Sequence, residues 1–455
     1  MQTLLILAFT AAVAWAQCGQ VVLNPTTGKM DCIGNVGSDG ARLPARLANA
    51  IAQGADGSGV LDSTTAINAC LNAGSTCYVP AGTYVIAGVV SIPTMTALVL
   101  AEGAQLQTNN PDAYVSMEAF GASLLGSMSD LRDVMSPPSN IKATGTQSQA
   151  PLRIATTHNI AGLAVRGITV DQNQQSINGV VIGGSSGAGS LIWSTFADFN
   201  IVQAPPNGNA LMVNGSWQNS RCDRCCFYRY TTHSNYRPSS GSAVTISASS
   251  TSGTSTVLKF VGGRIQGFTN GFLLGDANSS NCPSDIHIAE IYFDGLATDG
   301  GAAVNAACAY HLLVRGDTFQ GPNRLGAGTE RGIILGTSNG KQATNAVISG
   351  NLGGLFDVFI EGFSWRGGAM YDNVYTYAQS SGGPTPVFFL NTGNKGGQRS
   401  GLDSYSNSIF GLGLEISDST GFQPASGHGV GLAGIGDRAL CAHADGTIYA
   451  CGARR

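Results

Sequence analysis

The chain has 455 residues, 43% of them hydrophobic but only 11% charged, against about 25% charged in an average soluble domain. A formal net charge of −4 excludes a global basic field for nucleic acid or an anionic membrane, although a local Arg cluster would suffice for an acidic polysaccharide. The 63 glycines, with recurring Ser, Thr and Asn, disfavour long helices and favour short strands joined by tight turns. Apolar runs such as residues 179–183 and 387–390 recur along the whole length and exclude a disordered low-complexity chain.

Residues 1–16 read as a signal peptide: an apolar stretch over 4–15 ends in Ala14-Trp15-Ala16, a small-x-small cleavage pattern, although no Lys or Arg precedes it. The stretch is too short to span a bilayer, and no later run reaches the roughly 18 apolar residues a span needs. All 11 cysteines follow this point, as expected of an exported chain, secreted or periplasmic. Residues 17–48 form a leader stapled by Cys18 and Cys32. Cys70 and Cys77 flank the end of a predicted helix and the strand after it, and Cys441 and Cys451 flank the hairpin signal Ala444-Asp445-Gly446-Thr447. A three-residue loop there sets those two cysteines opposite each other. Cys222, Cys225, Cys226, Cys282 and Cys308 remain, so at least one thiol is unpaired. No second CxxC or His pair completes a zinc site with Cys222 and Cys225, so disulfides are the better reading and no metal is assigned.

Residues 57–88 read GSGVLDSTTAINACLNAGSTCYVPAGTYVIAG. Asp62 or Ser63 can accept the free N–H groups of a first helical turn; Ala66, Ile67, Cys70 and Leu71 form one apolar face; Gly74 ends the helix. Tyr78 to Pro80 begin a strand, Ala81-Gly82 turn, and residues 83–86 continue it. This stretch resembles the N-terminal signature GDGxxDDTxAIQxAIxAA…VxxPxGTY of the pectate-lyase-3 (rhamnogalacturonase/epimerase-like) group within the pectate-lyase-like superfamily. It departs from it at Gly57-Ser58-Gly59 and at Asp62-Ser63. The resemblance implies an all-β fold, a right-handed parallel β-helix whose first rung is capped by the helix, occupying residues 49–400. It implies action on carbohydrate but carries over no catalytic residue, because the signature is a structural cap.

Beyond about residue 150 an octet recurs: apolar-x-small-x-polar-apolar-x-Gly/Gln. Copies are VRGITVDQ from Val165, FADFNIVQ from Phe196, IAEIYFDG from Ile288, VRGDTFQG from Val314 and IEGFSWRG from Ile360, with looser copies at 261–268 and 348–354. Such recurrence is the mark of a solenoid, since one rung cannot bury its apolar side alone. The sixth position (Val170, Ile201, Phe293, Phe319, Trp365) is large and apolar and is expected to point inward. The fifth and seventh then face out, and alternation adds the third, which places Asp171, Asp198, Asn200, Glu290 and Gln320 on a polar face suited to sugar binding. Any solvated face is polar too, so the face alone does not establish binding.

A hydrolase needs two carboxyls about 5 Å or 6.5–9.5 Å apart. Asp198 and Glu290 are three or more rungs apart, and Glu290 and Asp294 about 13 Å apart along one strand, so neither makes that pair. A lyase needs a group neutralising a substrate carboxylate and a base for the α-proton; Tyr292, Asp294 and Arg366 meet this if the strand at Ile360 lies near that at Ile288. No cofactor is called for, and Ca²⁺ finds no supporting ligand spacing. Ser426-Gly427-His428-Gly429 resembles the Gly-His-Gly of polygalacturonases, but their Asn-Thr-Asp and Asp-Asp motifs are missing, and a Gly-rich turn is the simpler reading. Residues 401–455 lose the octet and read as a terminal cap or small module. The expected function is an exported polysaccharide-degrading enzyme, lyase or glycoside hydrolase; the alternative is a non-catalytic wall, adhesin or tailspike-like β-helix, and the sequence leaves the oligomer open, a trimer being compatible with the tailspike-like form alone.

Overall fold

The computed structural model describes residues 47–376, apart from the loops 128–138, 185–187, 230–240, 248–253, 276–281, 295–300, 322–330, 339–340 and 355, together with short strands outside this range. It is a right-handed parallel β-helix. Two large parallel sheets, of 26 and 12 strands, wrap the same core. A full rung has four sides. In one, Asn159–Ala161, Ala164–Arg166 and Thr169–Asp171 form the first, second and third sides, and Asn178–Ile182 forms the fourth. The next rung repeats them as Ser190–Ile192, Thr195–Ala197, Asn200–Val202 and Asn209–Val213, each strand in register on its predecessor.

The octet is the passage from second to third side. Its first, fourth and sixth residues are buried: Val165, Ile168 and Val170 in one rung, Phe196, Phe199 and Ile201 in the next. Its third residue is a corner in the left-handed region: Gly167 (φ 63°), Asp198 (50°), Arg224 (50°), Gly262 (68°), Glu290 (58°), Gly316 (68°), Gly350 (64°) and Asp372 (54°). Asp198 and Glu290 therefore stand on a turn, not on the outward strand face that simple alternation gave them. The copy at Ile360 is also displaced. Ile360 lies on the fourth side within Val358–Gly362 and Trp365 opens the first-side strand Trp365–Tyr371, so that octet spans a different corner. The equivalent passage in that rung starts at Met370 and turns at Asp372.

Inside the coil, an aromatic stack runs through Phe196, Trp217, Phe260, Phe272, Phe293, Phe319, Phe359 and Tyr375, neighbouring centroids lying 4.7–6.1 Å apart. At the fourth octet position the apolar fill gives way in later rungs to a polar ladder: Asp317, Asn351, Asn373 and Asn407. Asn351 Nδ2 donates to Val314 O (3.1 Å) and Asn373 Oδ1 (2.9 Å), and Asn373 Nδ2 to Ile348 O and Asn407 Oδ1 (both 2.9 Å). These bonds satisfy carbonyls at the corner that the strand ladders leave free.

The helix Thr64–Ala73 buries Thr64, Ala66, Ile67, Cys70 and Leu71 against the first rungs, and Cys70 is joined to Cys77. Its cap is Asp62 rather than Ser63: Asp62 Oδ1 accepts Thr64 N (3.0 Å), Thr64 Oγ1 (2.6 Å) and Ala87 N (3.0 Å). Gly74 ends the helix in extended conformation (φ −156°). Asp62→Ala is expected to cost roughly 1–2 kcal/mol, the loss of a helix cap, as a lower denaturant midpoint at unchanged slope.

Cys222 pairs with Cys225 and Cys282 with Cys308, while Cys226 is a free, buried thiol. The C-terminal hairpin is present, Leu440–Ala442 against Ile448–Ala450, but its register sets Cys441 opposite Tyr449 and not opposite Cys451. The signal peptide, Cys18, His428 and Cys451 lie outside the described residues. Among the described residues no helix is long and apolar enough to cross a membrane.

Candidate functional site

The third side presents two stacks turned away from the core, in which Thr169, Asn200, Cys226, Asp171 and Val202 are nonetheless buried. One runs Thr169, Asn200, Cys226, Arg264, Tyr292, Thr318; the other runs Asp171, Val202, Tyr228, Gln266, Asp294, Gln320. Rigid strands hold each side chain at a fixed height, so neighbours along a stack are about 4.8 Å apart.

The densest chemistry lies on the rungs of Arg264, Tyr292 and Thr318. The Arg264 guanidinium carbon sits 5.2 Å from the Tyr292 ring centroid, over its face. Arg264 Nη2 donates to Asp294 Oδ2, and the Tyr292 hydroxyl donates to Gln320 Oε1. Burial pulls the Arg264 pKa down, but the Asp294 carboxylate more than offsets it and holds the guanidinium firmly charged. Asp294 takes one of five guanidinium donors and leaves others for a ligand. One rung earlier, burial raises both the Cys226 thiol and the Tyr228 phenol, which hydrogen-bond each other beside Arg264. These two side chains are thus neutral beside Arg264.

The structure brings together Tyr292, Asp294 and Gln320 of the expected residues. Asp171 and Asn200 share the two stacks but stand four and three rungs earlier, about 19 and 14 Å away. Asp171 is buried, which raises its pKa, although the Asn173 N–H and Lys142 partly counter this. Asp198 is held by Arg224 in a two-pronged pair (2.6 and 2.7 Å) at the corner between the second and third sides. Arg366 is on the first side, in the stack of Ser284, Tyr310 and Thr344, three rungs on from Tyr292 and two sides around. The proximity that a role for Arg366 requires is therefore not met, and Arg264 occupies the place expected of it.

Arg264 was within reach of the sequence. Shifting the loose copy at 261–268 by one residue gives FVGGRIQG from Phe260, with Gly262 at the corner, Ile265 inward and Arg264 outward. A second unanticipated pair is Arg331 with Glu361 on the fourth side, the Glu361 side chain buried and the Arg331 side chain 16% exposed. Desolvation makes such a pair weak evidence for stability. Among the described residues no group of three or more His, Cys, Asp or Glu is placed to hold a metal ion.

No protein-family model matches the chain, and no curated protein sequence matches it. Solved structures do. The catalytic unit of a thermostable GH87 α-1,3-glucanase from Streptomyces thermodiastaticus strain HF3-3 is similar at 13% identity and TM-score 0.51, over 83% of this chain and 71% of that one. The surface adhesin PfbA of Streptococcus pneumoniae is similar at 13% identity and TM-score 0.44, over 90% and 99%. The A-module of the mannuronan C-5 epimerase AlgE4 of Azotobacter vinelandii is similar at 12% identity and TM-score 0.40, over 81% and 100%. At this identity the glucanase likeness shows the fold alone: the chain is a right-handed parallel β-helix, the architecture that residues 57–88 imply.

Proposed function

We propose that this chain is an exported polysaccharide lyase that holds an acidic glycan along the third side, with Arg264 and Tyr292 at its reacting centre. The observation that carries the reading is a firmly charged guanidinium stacked on a phenol, on a rigid outward face, with spare donors. In β-elimination Arg264 neutralises the substrate carboxylate and so acidifies the α-proton. Tyr292, as phenolate beside that cation, takes the proton. The electron pair forms the new C=C bond, the β C–O bond breaks, and the departing oxygen takes the proton back from Tyr292. Gln320 serves both states, accepting from the phenol through its carbonyl and, with its amide turned, donating to the phenolate.

A non-catalytic glycan-binding protein is the second reading, and one observation favours it. Asp294 is locked to Arg264, and within one rung the described outward stacks hold no second carboxylate. Direct hydrolysis by an acid pair has no place on this face.

Pectic, alginate-like, neutral glucan and bacterial polysaccharides should be incubated with the secreted protein, following ultraviolet absorbance of unsaturated ends and new reducing ends together. Both signals rising on a uronate polymer is the expected result. Reducing ends without absorbance would assign hydrolysis to a centre elsewhere. Binding without either signal would establish the glycan-binding reading.

A further inference from the structure

We infer that a cleft near the N-terminal end, away from the third side, is a binding site for a neutral saccharide. The cleft exists because the coil is stepped. In the rungs of Val89–Ser91 and Tyr114–Met117 the chain passes from the fourth side to the second by short turns, with no first-side strand. The first side begins only with Asn159–Ala161, which among the described residues pairs with Ser190–Ile192 and with no preceding strand. Its other edge opens into a cleft of about 430 Å³ lined by Thr94, Glu118, Phe120, His158, Asn159 and Ile192, with Ala119, Ile160 and Ala161.

Hydrogen-bond polarity fixes the chemistry of the cleft. Glu118 Oε1 accepts Thr156 N (2.6 Å) and Thr156 Oγ1 (2.5 Å), and Oε2 accepts Thr157 N (3.1 Å) and Thr157 Oγ1 (3.0 Å). Four donors converge on one carboxylate, which therefore acts as an ionised, acceptor-only group. Thr157 has a single hydroxyl proton and gives it to Glu118. His158 Nδ1, 2.7 Å from Thr157 Oγ1, must then be the donor in that contact. Whenever the imidazole is neutral, this contact holds it as its Nδ1–H tautomer and leaves Nε2 as a bare acceptor for a hydroxyl in the cleft.

The apolar wall suits the flat face of a sugar ring. Phe120 is 55% exposed, and a side-chain carbon at Gly162, where φ is +74°, would make ordinary van der Waals contact with its ring at 3.9 Å. Trp193, 67% exposed, continues the surface two rungs on, about 10 Å along the axis. Glu118 is the one charged group lining the cleft, and its negative charge selects against uronates. The ligand is therefore a neutral saccharide whose hydroxyl donates to His158, chemically distinct from the acidic glycan proposed for the third side.

The test is calorimetric titration of the full secreted protein with neutral gluco-, manno- and xylo-oligosaccharides and, separately, with oligouronates. At least one neutral series is expected to bind. Phe120→Ala should weaken it about tenfold, the worth of one stacked ring, and Phe120→Trp should retain it. His158→Ala should weaken it as well. Tyr292→Phe should leave it unchanged, which separates this site from the third side. Nitrogen shifts of the imidazole should report the Nδ1–H tautomer, and Thr157→Val should release it. The inference is overturned if no neutral oligosaccharide binds, if oligouronates bind in their place, or if binding survives Phe120→Ala unchanged.

Discussion

Asp317→Asn is expected to stabilise the protein above neutral pH by up to about 4 kcal/mol, with the gain vanishing in acid. The ladder supplies the reason. Asn351 and Asn373 each donate Nδ2 to the first octet carbonyl of the preceding rung and to the next Asn, as Asn351 does to Val314 O and Asn373 Oδ1. By that repeat, the second carboxyl oxygen of Asp317 stands where an N–H belongs, facing Ile288 O and Asn351 Oδ1, and it has no hydrogen-bond partner. Its first oxygen accepts Ile291 N (2.7 Å), while its own N–H donates to Asn351 Oδ1 (2.9 Å). Burial pushes the carboxyl up to about 7, with Glu290 adding to it and the Ile291 and Arg315 N–H groups opposing. The folded state thus keeps a proton that the unfolded chain releases near 3.8. Stability should fall as pH rises from about 4 to about 7 and then level off, because the native state binds the extra proton across that window. Asn at 317 supplies the missing donor without ionising. Urea unfolding of both forms from about pH 4 to about pH 8 should show curves that meet in acid and part with rising pH. A pH-independent difference, or a loss of stability at the upper end, would show that this carboxyl is not held neutral.

The same ladder shows how far the sequence could be read. The octet, its inward sixth residue and the helical cap were legible because each rests on local burial periodicity. The third position was misjudged because a left-handed residue turns the chain by a corner and breaks period-two alternation. Gly167, Gly316, Gly350, Asp198 and Asp372 at that position are the residue types a turn selects, so the signal was there. The copy at Ile360 matched the pattern for another reason: every strand–corner–strand passage yields apolar-x-small-x-polar-apolar, and that one lies between fourth and first sides. The error drew Arg366 toward Tyr292, and it hid Asn373 from its place beside Asn351. The cleft at Phe120 had no local signal, because it depends on a first-side strand missing from two rungs rather than on any motif present.

Tyr292→Phe and Arg264→Ala are expected to have the largest effects on activity. Phe at 292 keeps the ring beneath the guanidinium and removes only the oxygen, so the fold and the Arg264–Asp294 pair should persist. If the phenol is the proton-transfer group, kcat should drop by about a hundredfold or more while KM changes little. Arg264→Ala takes away the cation, the stack on Tyr292 and the partner of Asp294 together. It leaves a carboxylate only 19% exposed without its counter-charge, directed at the position a uronate would occupy. KM should rise and kcat fall, because like charges now meet where attraction stood. Arg264→Ala combined with Asp294→Asn removes that repulsion without restoring the cation. In the lyase reading the pair should recover part of the KM and none of the kcat, since carboxylate neutralisation in the transition state remains lost. Recovery of full turnover by the double variant would mean that Arg264 serves only to balance Asp294, and the proton-transfer centre would then have to be sought off the third side.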